Sequence, residues 1–507
     1  MAETGLSRNQ IFVELAKSEH GDLKQYVPVG YAAAREHPDF LAHLLVWNKD
    51  KGQVRDTKAA LPVIALMNQN LDEEFVENAL ACLTLLNPRD MLKAYRFVLE
   101  TRPMNRMTMI KRTLVARFHL QEKNWPKWER TMLQHRETLR ELFALLSYPP
   151  VDKRTDACLF RRKGQEKLAY PPGGLFELVA GLKNMSPKEA AGMILTYKLP
   201  FLPVTGALGD KAKDPDVVLA MIKSMTATEL VTSMKKLERL GVKTNPALRG
   251  ALEEALGKSA SSTANVLKAT TAAENIGDED LAADLNKLQA KQTKKFSNVD
   301  GNWAVLGDRS PSMSRAVQIA KEVAAVLTSM VKGKVHLVFF DSLPQVIDVT
   351  GCDLSMIKKA TRHIEAGGSG TSIGCGLKSL QERKYVVDGI AIVSDGGHNT
   401  APSFPDVYKS YSKLVDKEVP VYLFLTEGDD PRKLTDPMEA AGIDMHIFDL
   451  RRVKLDAYSI PNLVQTMRTN RYSLVDEIME TKLLKLSDEY KGKRCERTAR
   501  ASGRATQ

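Results

Sequence analysis

The stretch Trp303-Ala304-Val305-Leu306-Gly307-Asp308-Arg309-Ser310-Pro311-Ser312 decides the fold of the second half of this chain. Its apolar first part is typical of a buried strand, and an amphipathic helical pattern follows it. Asp308, Ser310 and Ser312 alternate directly after the strand, so three hard oxygen ligands meet at its tip. Such ligands, with water completing the shell, are what Mg²⁺ prefers. Asp and Ser are also ordinary turn residues, so a metal site requires further ligands downstream.

Two later segments supply such ligands. The Gly-rich loop 367–372 carries the hydroxyl of Thr371 and lacks the Gly-Lys-Ser/Thr ending of a phosphate-binding loop. The apolar run Ile390-Ala391-Ile392-Val393 ends in Ser394-Asp395-Gly396, which places a second carboxylate after a second strand. The sequence therefore predicts a site for Mg²⁺ or another divalent cation. Its ligands would be Asp308, Ser310, Ser312, Thr371 and Asp395.

Strand patterns alternate with helical patterns throughout this half of the chain. The further strands are predicted at 335–340, 346–349, 419–425 and 445–448. This alternation indicates βαβ units and a mostly parallel sheet with helices on both faces, a doubly wound α/β fold. Ligands of such sheets bind outside the carboxyl ends of the strands, near the point where strand order switches. Asp308 and Asp395 are both expected there.

The first half reads as one helix after another. Helical spacing runs from residue 7 to about 258, and capping signals begin helices at Ser186 and Thr226. No strand-like alternation interrupts this region and no strict period repeats, which favours an α-solenoid of divergent HEAT-like repeats. We expect a helical-repeat domain over 1–297, an α/β domain over 298–475, and a C-terminal helix with a basic tail over 476–507.

Composition narrows the functional classes. At 507 residues the chain needs two or more domains. No apolar stretch reaches the ~18 residues that would span a bilayer, and the N-terminus lacks a signal-peptide core. The five cysteines are scattered and odd in number, which favours the reducing cytoplasm over a secreted protein. A net charge of +11 suggests an anionic partner, most simply nucleic acid.

The positive charge is uneven along the chain. Between Arg102 and Leu168 there are sixteen Lys and Arg against seven Asp and Glu. An RNA-binding surface and an ordinary solvated surface are both compatible with this excess. Trp125, Trp128 and Tyr148 nearby could stack bases or belong to the core. The candidate RNA-binding residues are Lys111, Arg112, Arg117, Arg136, Arg140, Lys153, Arg154, Arg161, Arg162, Lys163 and Lys167.

The ordered motifs carry a family resemblance. The succession D-x-S-x-S, G-[ST] and [ST]-D-G resembles the metal-ion-dependent adhesion site (MIDAS) of von Willebrand factor A domains. Helical repeats followed by such a domain in one basic chain resemble the Ro ribonucleoprotein autoantigen family, in which a TROVE module is fused to an A domain. The segment Val54-Arg55-Asp56-Thr57-Lys58-Ala59-Ala60-Leu61-Pro62 adds to this resemblance. The compact size and the absence of eukaryotic-looking insertions suggest a bacterial or phage member.

The Ro resemblance implies a monomeric ring of helical repeats closed by the A domain. It further implies binding of small noncoding Y-like RNA and of single-stranded ends of misfolded RNA. The role would be RNA quality control in a ribonucleoprotein, with an exoribonuclease as a further partner and no membrane association. No catalysis by the chain itself is implied, and its nine histidines form no zinc-protease spacing.

Two other functions remain open from the sequence. The A domain could be a metal-dependent interaction scaffold that docks an acidic residue of a partner at an open coordination position. Alternatively, the metal could be purely structural.

Overall fold

The computed structural model describes residues 5–17, 21–50, 55–103, 106–160, 169–259, 301–352, 354–368, 370–451 and 474–490. The chain forms two compact units. The helical unit comprises Met1–Glu229, Lys236–Leu252 and Ser473–Gln507, and the α/β unit comprises Leu230–Lys235 and Glu253–Tyr472. Within the described ranges no helix combines the length and apolar character needed to cross a membrane.

The described part of residues 5–259 is helical and contains no β-strand, as the sequence predicted. The two capping boxes form as expected: Ser186 accepts from Glu189 N, and Thr226 accepts from Glu229 N. A 3₁₀ turn at Leu23–Tyr26 precedes the second α-helix. The α-helices are α1 Arg8–Lys17, α2 Val27–Glu36, α3 Pro38–Asp50, α4 Arg55–Ala65, α5 Glu73–Thr84, α6 Pro88–Thr101, α7 Met107–Lys123, α8 Trp125–Leu146, α9 Lys153–Leu159, α10 Leu175–Gly181, α11 Pro187–Tyr197, α12 Phe201–Leu208, α13 Pro215–Ser224, α14 Ala227–Arg239 and α15 Pro246–Ser259.

Alternate helices of this unit stack on one another. The helices α2, α4, α6 and α8 pack in succession as one layer, and α3, α5 and α7 pack as another. This two-layer stacking is the arrangement of a helical solenoid, in which each repeat contacts its neighbours. The helix α8 is kinked at His135, whose backbone leaves the helical region.

A C-terminal segment, residues 474–490, returns to the first helices of the same unit. Its helix, α21 (Leu474–Met479), packs on α3. Glu477 accepts a hydrogen bond of 2.9 Å from the Trp47 indole, and the Leu484 amide donates to Asn78 Oδ1 at 2.9 Å. Asn78 is fully buried and also donates to Ala42 O. The helical unit is thus completed by residues that lie far apart in sequence.

The α/β unit is built on one six-stranded sheet in the order β3-β2-β1-β4-β5-β6, in which only β3 runs antiparallel. This confirms the predicted doubly wound fold. The strands are β1 Trp303–Asp308, β2 Val335–Phe340, β3 Pro344–Asp348, β4 Gly389–Ser394, β5 Val421–Leu425 and β6 Met445–Asp449. The helices are α16 Ser314–Met330, α17 Leu354–Ala360, α18 Ile373–Glu382, α19 Phe404–Val415 and α20 Arg432–Ala440.

Helices cover both faces of the sheet. Leu306, Ile392 and Leu423 share a core with the apolar sides of α18, α19 and α20. On the opposite face α16 packs on β1, β2 and β4. There the Trp303 ring lies across Gly389, where any Cβ would overlap it. The absence of a side chain at this position lets the largest residue of β1 lie flat over β4.

The predicted linker at 292–298, the boundary at 297/298 and the basic tail from residue 491 lie outside the described residues.

We expect Asn78→Ala to loosen the attachment of the C-terminal segment. The change removes the side-chain amide that bonds both Ala42 O and Leu484 N, which should lower the unfolding free energy by about 1–3 kcal/mol. Urea unfolding followed by far-UV circular dichroism measures it, and limited proteolysis reports release of the C-terminus. Gln134→Ala, at an exposed position of α8, is the control, and equal urea midpoints for the two variants would contradict the prediction.

Candidate metal centre and basic surface

Strand topology brings the two predicted carboxylates together. Asp308 ends β1, and Asp395 follows β4, whose neighbour in the sheet is β1. The chain runs outward from β1 through β2 to β3 and then crosses back to β4, so the strand order switches between β1 and β4. Both side chains are buried. The site therefore lies at the switch point, where α/β sheets bind ligands.

Asp308 is held by two donors. Its Oδ1 accepts from the Ser310 amide at 2.9 Å, and its Oδ2 accepts from the Ser394 hydroxyl at 2.7 Å. Burial raises the pKa of Asp308, and the charge of Asp395 raises it further, whereas the hydrogen bonds from Ser310 and Ser394 lower it. Two neighbouring buried carboxylates thus repel each other, a situation that a bound cation relieves.

Asp395 is fixed by backbone donors. Gly397 N donates to its Oδ1 at 2.8 Å, and Asp429 N donates to its Oδ2 at 2.9 Å. Gly428 approaches this carboxylate so closely that a Cβ would overlap it. The loop after β5 thereby positions the second acid.

The three hydroxyl residues differ in exposure. Ser310 and Thr371 are buried, whereas Ser312 is exposed. The Thr371 amide donates to Asn399 Oδ1 at 2.8 Å, and Asn399 N donates back to Thr371 O at 3.1 Å. These contacts fasten the Gly-rich loop to the loop that follows Asp395. The site is therefore enclosed around the acids and open to solvent beside Ser312.

Two basic side chains, one next to Asp308 in sequence and one on α20, form ion pairs with other acids. Arg309 pairs with Asp341 at 2.6 Å, and Lys433 pairs with Asp429 at 2.5 Å. In the described portion of the chain no cluster of three or more His, Cys, Asp and Glu could hold a metal. The candidate centre instead combines two carboxylates with hydroxyls, which are hard oxygen donors suited to Mg²⁺ rather than zinc.

Sequence reasoning missed the residues that orient the ligands. Ser394 lies within the S-D-G motif, yet its contact with Asp308 depends on the neighbouring positions of β1 and β4. Asn399 and the Arg309–Asp341 pair carry no motif signal, because they act through contacts between separate loops. Only the sheet order reveals them.

The helix α7 carries three of the predicted RNA-binding residues. Arg112 is exposed and Lys111 is half-buried. Arg117 packs its guanidinium 4.0 Å from the Met91 sulfur, and burial lowers its pKa to about 10. It remains charged at neutral pH and is half-buried.

The remaining described candidates lie on α8 and α9. Arg136 lies 5.9 Å from the centre of the Phe176 ring, and Arg140 pairs with Glu137 at 3.0 Å. Lys153 and Arg154 are exposed at the start of α9. Four predicted residues, Arg161, Arg162, Lys163 and Lys167, lie outside the described residues.

The aromatic residues of this region divide between core and surface. Trp128 and Tyr148 are buried, and their polar atoms bond to Thr155 and Glu122. The core interpretation therefore holds for both of them. Trp125 is half-buried and lies under the guanidinium of Arg154, 4.2 Å from its carbon to the ring centre.

Comparison with known proteins shows what the fold is similar to. No protein-family model matches the chain, and a search of curated proteins finds no match. Among solved structures, the crystal structure of the Deinococcus radiodurans Ro (RSR) protein matches with a TM-score of 0.58 at 14% identity, covering 91% of this chain and 100% of that one. At this identity the likeness shows a shared fold, and it extends over both units.

Glu122 supports the start of α9, and its titration should be visible in stability. It accepts from Val151 N and Asp152 N at 3.0 and 2.7 Å, and burial raises its pKa above 4.5. As pH falls from neutrality the folded state binds the proton first, so stability relative to Glu122→Gln should rise until the unfolded pKa is reached.

Denaturation between pH 7 and pH 4 measures this difference, with the exposed Glu74→Gln as control. Glu122→Ala, which leaves its donors without an acceptor, should be less stable by about 1–3 kcal/mol at any pH in this range. A pH-independent gap between wild type and Glu122→Gln would contradict the assignment.

Proposed function

We propose that this chain is an RNA-binding protein of the Ro type. The observation that carries the proposal is the likeness of fold to the Deinococcus radiodurans Ro protein across 91% of the chain. A shared fold alone does not fix function. The sequence supplies independent support, because a net charge of +11 and the basic excess between Arg102 and Leu168 suit a polyanionic ligand.

The RNA would bind the helical unit. Arg112, Arg140 and Lys153 are exposed there, so phosphates can reach them. Arg117 is a weaker candidate than these three, since its side chain is half-buried. The proposed ligands are small noncoding Y-like RNA and single-stranded ends of misfolded RNA, handled in cytoplasmic quality control together with an exoribonuclease. The chain would act as the RNA-binding component of a ribonucleoprotein.

We further propose that the α/β unit binds Mg²⁺ or a similar divalent cation. Asp308 and Asp395 would supply negative charge, and Ser310, Ser312 and Thr371 would supply hydroxyl oxygens. The fit rests on the burial of both acids at one end of the sheet, which with the charge of Asp395 raises the pKa of Asp308, and on the pairing of Arg309 with Asp341. The cation would stabilise the loops that hold its ligands.

The exposure of Ser312 favours one alternative function. A metal bound beside Asp308 would face solvent on that side, where an acidic residue of a partner protein could complete the coordination shell. In this scaffold function the α/β unit would recruit a partner protein, and the function would not depend on RNA binding by the helical unit.

Charge reversal tests the RNA proposal. Replacing Arg161, Arg162 and Lys163 together by Glu should weaken binding of a structured RNA and flatten its salt dependence. The slope of log affinity against log salt should fall by about 0.9 for each phosphate that the variant no longer neutralises. Fluorescence anisotropy at several salt concentrations measures both quantities.

The matched control reverses Lys409 and Lys413, which are exposed on α19 of the α/β unit. Wild-type affinity and slope in the triple variant would remove this cluster from the site. A purified chain that carries no nucleic acid and binds no RNA would instead support the scaffold.

Substitution of Ser394 tests the metal proposal without removing a ligand. Ser394→Ala frees one oxygen of Asp308 from its donor, and removal of such an orienting hydrogen bond should weaken Mg²⁺ binding by about 10–100-fold. Isothermal titration with Mg²⁺ measures it. Ser379→Ala, a buried serine that bonds Gly376 O within α18, should bind Mg²⁺ as the wild type does, and equal affinities for all three proteins would contradict the site.

A further inference from the structure

We propose that Arg154, stacked on Trp125, forms a platform for a nucleobase of single-stranded RNA. This inference rests on the proposed RNA-binding function and names the form of ligand that the surface takes, unpaired bases. The Arg154 guanidinium carbon lies 4.2 Å from the centre of the Trp125 ring, which is stacking distance. Bases stack on guanidinium planes and on aromatic rings alike.

Asp152 fixes the guanidinium plane. Arg154 Nη2 donates to Asp152 Oδ2 at 2.7 Å, and Nε lies 3.1 Å from both carboxylate oxygens. Asp152 occupies one edge of the guanidinium and Trp125 one face, while 49% of the Arg154 side chain remains exposed. We take this exposed part to include the face opposite Trp125, where a planar ligand would stack.

Hydrogen bonds to neighbouring helices hold the residues around the platform in position. Glu122 of α7 accepts from the amides of Val151 and Asp152. The Trp128 indole donates to Thr155 Oγ1 at 3.0 Å and so ties α8 to α9. These contacts hold Arg154 and Trp125 in place before any ligand arrives, which reduces the ordering that binding would otherwise require.

Three exposed lysines flank the stack in sequence. Lys123 and Lys127 lie two residues either side of Trp125, and Lys153 precedes Arg154. Among the residues that the structure describes, none of these lysines forms an ion pair. Base stacking beside uncommitted positive charge is how proteins bind single strands.

Two similar Asp-x-Arg forks, in which an arginine makes a bidentate contact with the aspartate two residues before it, occur in the described part of the α/β unit without an aromatic ring beneath the arginine. Asp430 with Arg432, and Asp449 with Arg451, share the spacing and bidentate contact of Asp152 with Arg154. Neither of these arginines stacks on an aromatic ring of the described side chains. An Asp-x-Arg fork is therefore a local turn device, and the half-exposed tryptophan beneath Arg154 is the feature that indicates a ligand.

Tryptophan fluorescence tests the platform in the full-length protein. The chain has four tryptophans, of which Trp47, Trp128 and Trp303 are buried. A saturating single-stranded oligouridine should quench wild-type emission, and Trp125→Phe should abolish this response. Arg154→Lys keeps the charge but removes the plane, and should weaken oligouridine binding about tenfold. It should leave binding of a duplex RNA unchanged.

Arg432→Lys, which breaks the same kind of fork without a ring, is the matched control and should bind both RNAs as the wild type does. The platform would be overturned if Arg154→Lys bound oligouridine with wild-type affinity, or if saturating oligouridine left wild-type emission unchanged. Duplex binding by the wild type would still leave the proposed function standing in either case. Failure of the wild type to bind either RNA would overturn both.

Discussion

The α/β unit depends on one constraint: two carboxylates are buried side by side at the ends of adjacent strands. Asp308 ends β1 and Asp395 follows β4, and burial together with their mutual repulsion opposes ionisation of Asp308. The surrounding structure offsets this with directed donors from Ser310, Ser394, Gly397 and Asp429. All four donors lie at the same end of the sheet: Ser394 is the last residue of β4, and the other three belong to loops. A divalent cation would complete this arrangement.

The helical unit shows a different use of a buried acid. Glu122 accepts hydrogen bonds from backbone amides just before α9, the helix whose first residues, Lys153 and Arg154, are exposed. A buried acid thus holds the backbone next to two exposed basic residues. The same region buries Trp128 and Tyr148 and leaves Trp125 accessible. Aromatic residues close together in sequence therefore divide between core and surface, and composition alone does not tell which is which.

Some features of the site could be predicted because they are local. The D-x-S-x-S and S-D-G motifs each follow a strand, and strand ends in a parallel sheet converge, so the positions of Asp308 and Asp395 followed from pattern and topology. The capping boxes at Ser186 and Thr226 were likewise visible, since cap and partner lie three residues apart. Residues that act across separate strands or loops, such as Ser394 on Asp308 and Asn399 on Thr371, escaped prediction because their spacing in sequence carries no signal.

The sequence by itself determined the two fold classes, the order in which the candidate ligand motifs follow their strands, and the net positive charge of the chain. These properties depend on hydrophobic periodicity, on turn residues and on the number of charged residues. Each of these can be obtained from the sequence without knowing which residues are neighbours in the fold. Only the tertiary structure decided which charges are available. It half-buried Arg117, paired Arg309 with Asp341, and stacked Arg154 on Trp125. The physical reason is that burial and pairing depend on neighbours brought together by folding, such as the C-terminal segment that returns to Asn78 over a separation of 406 residues.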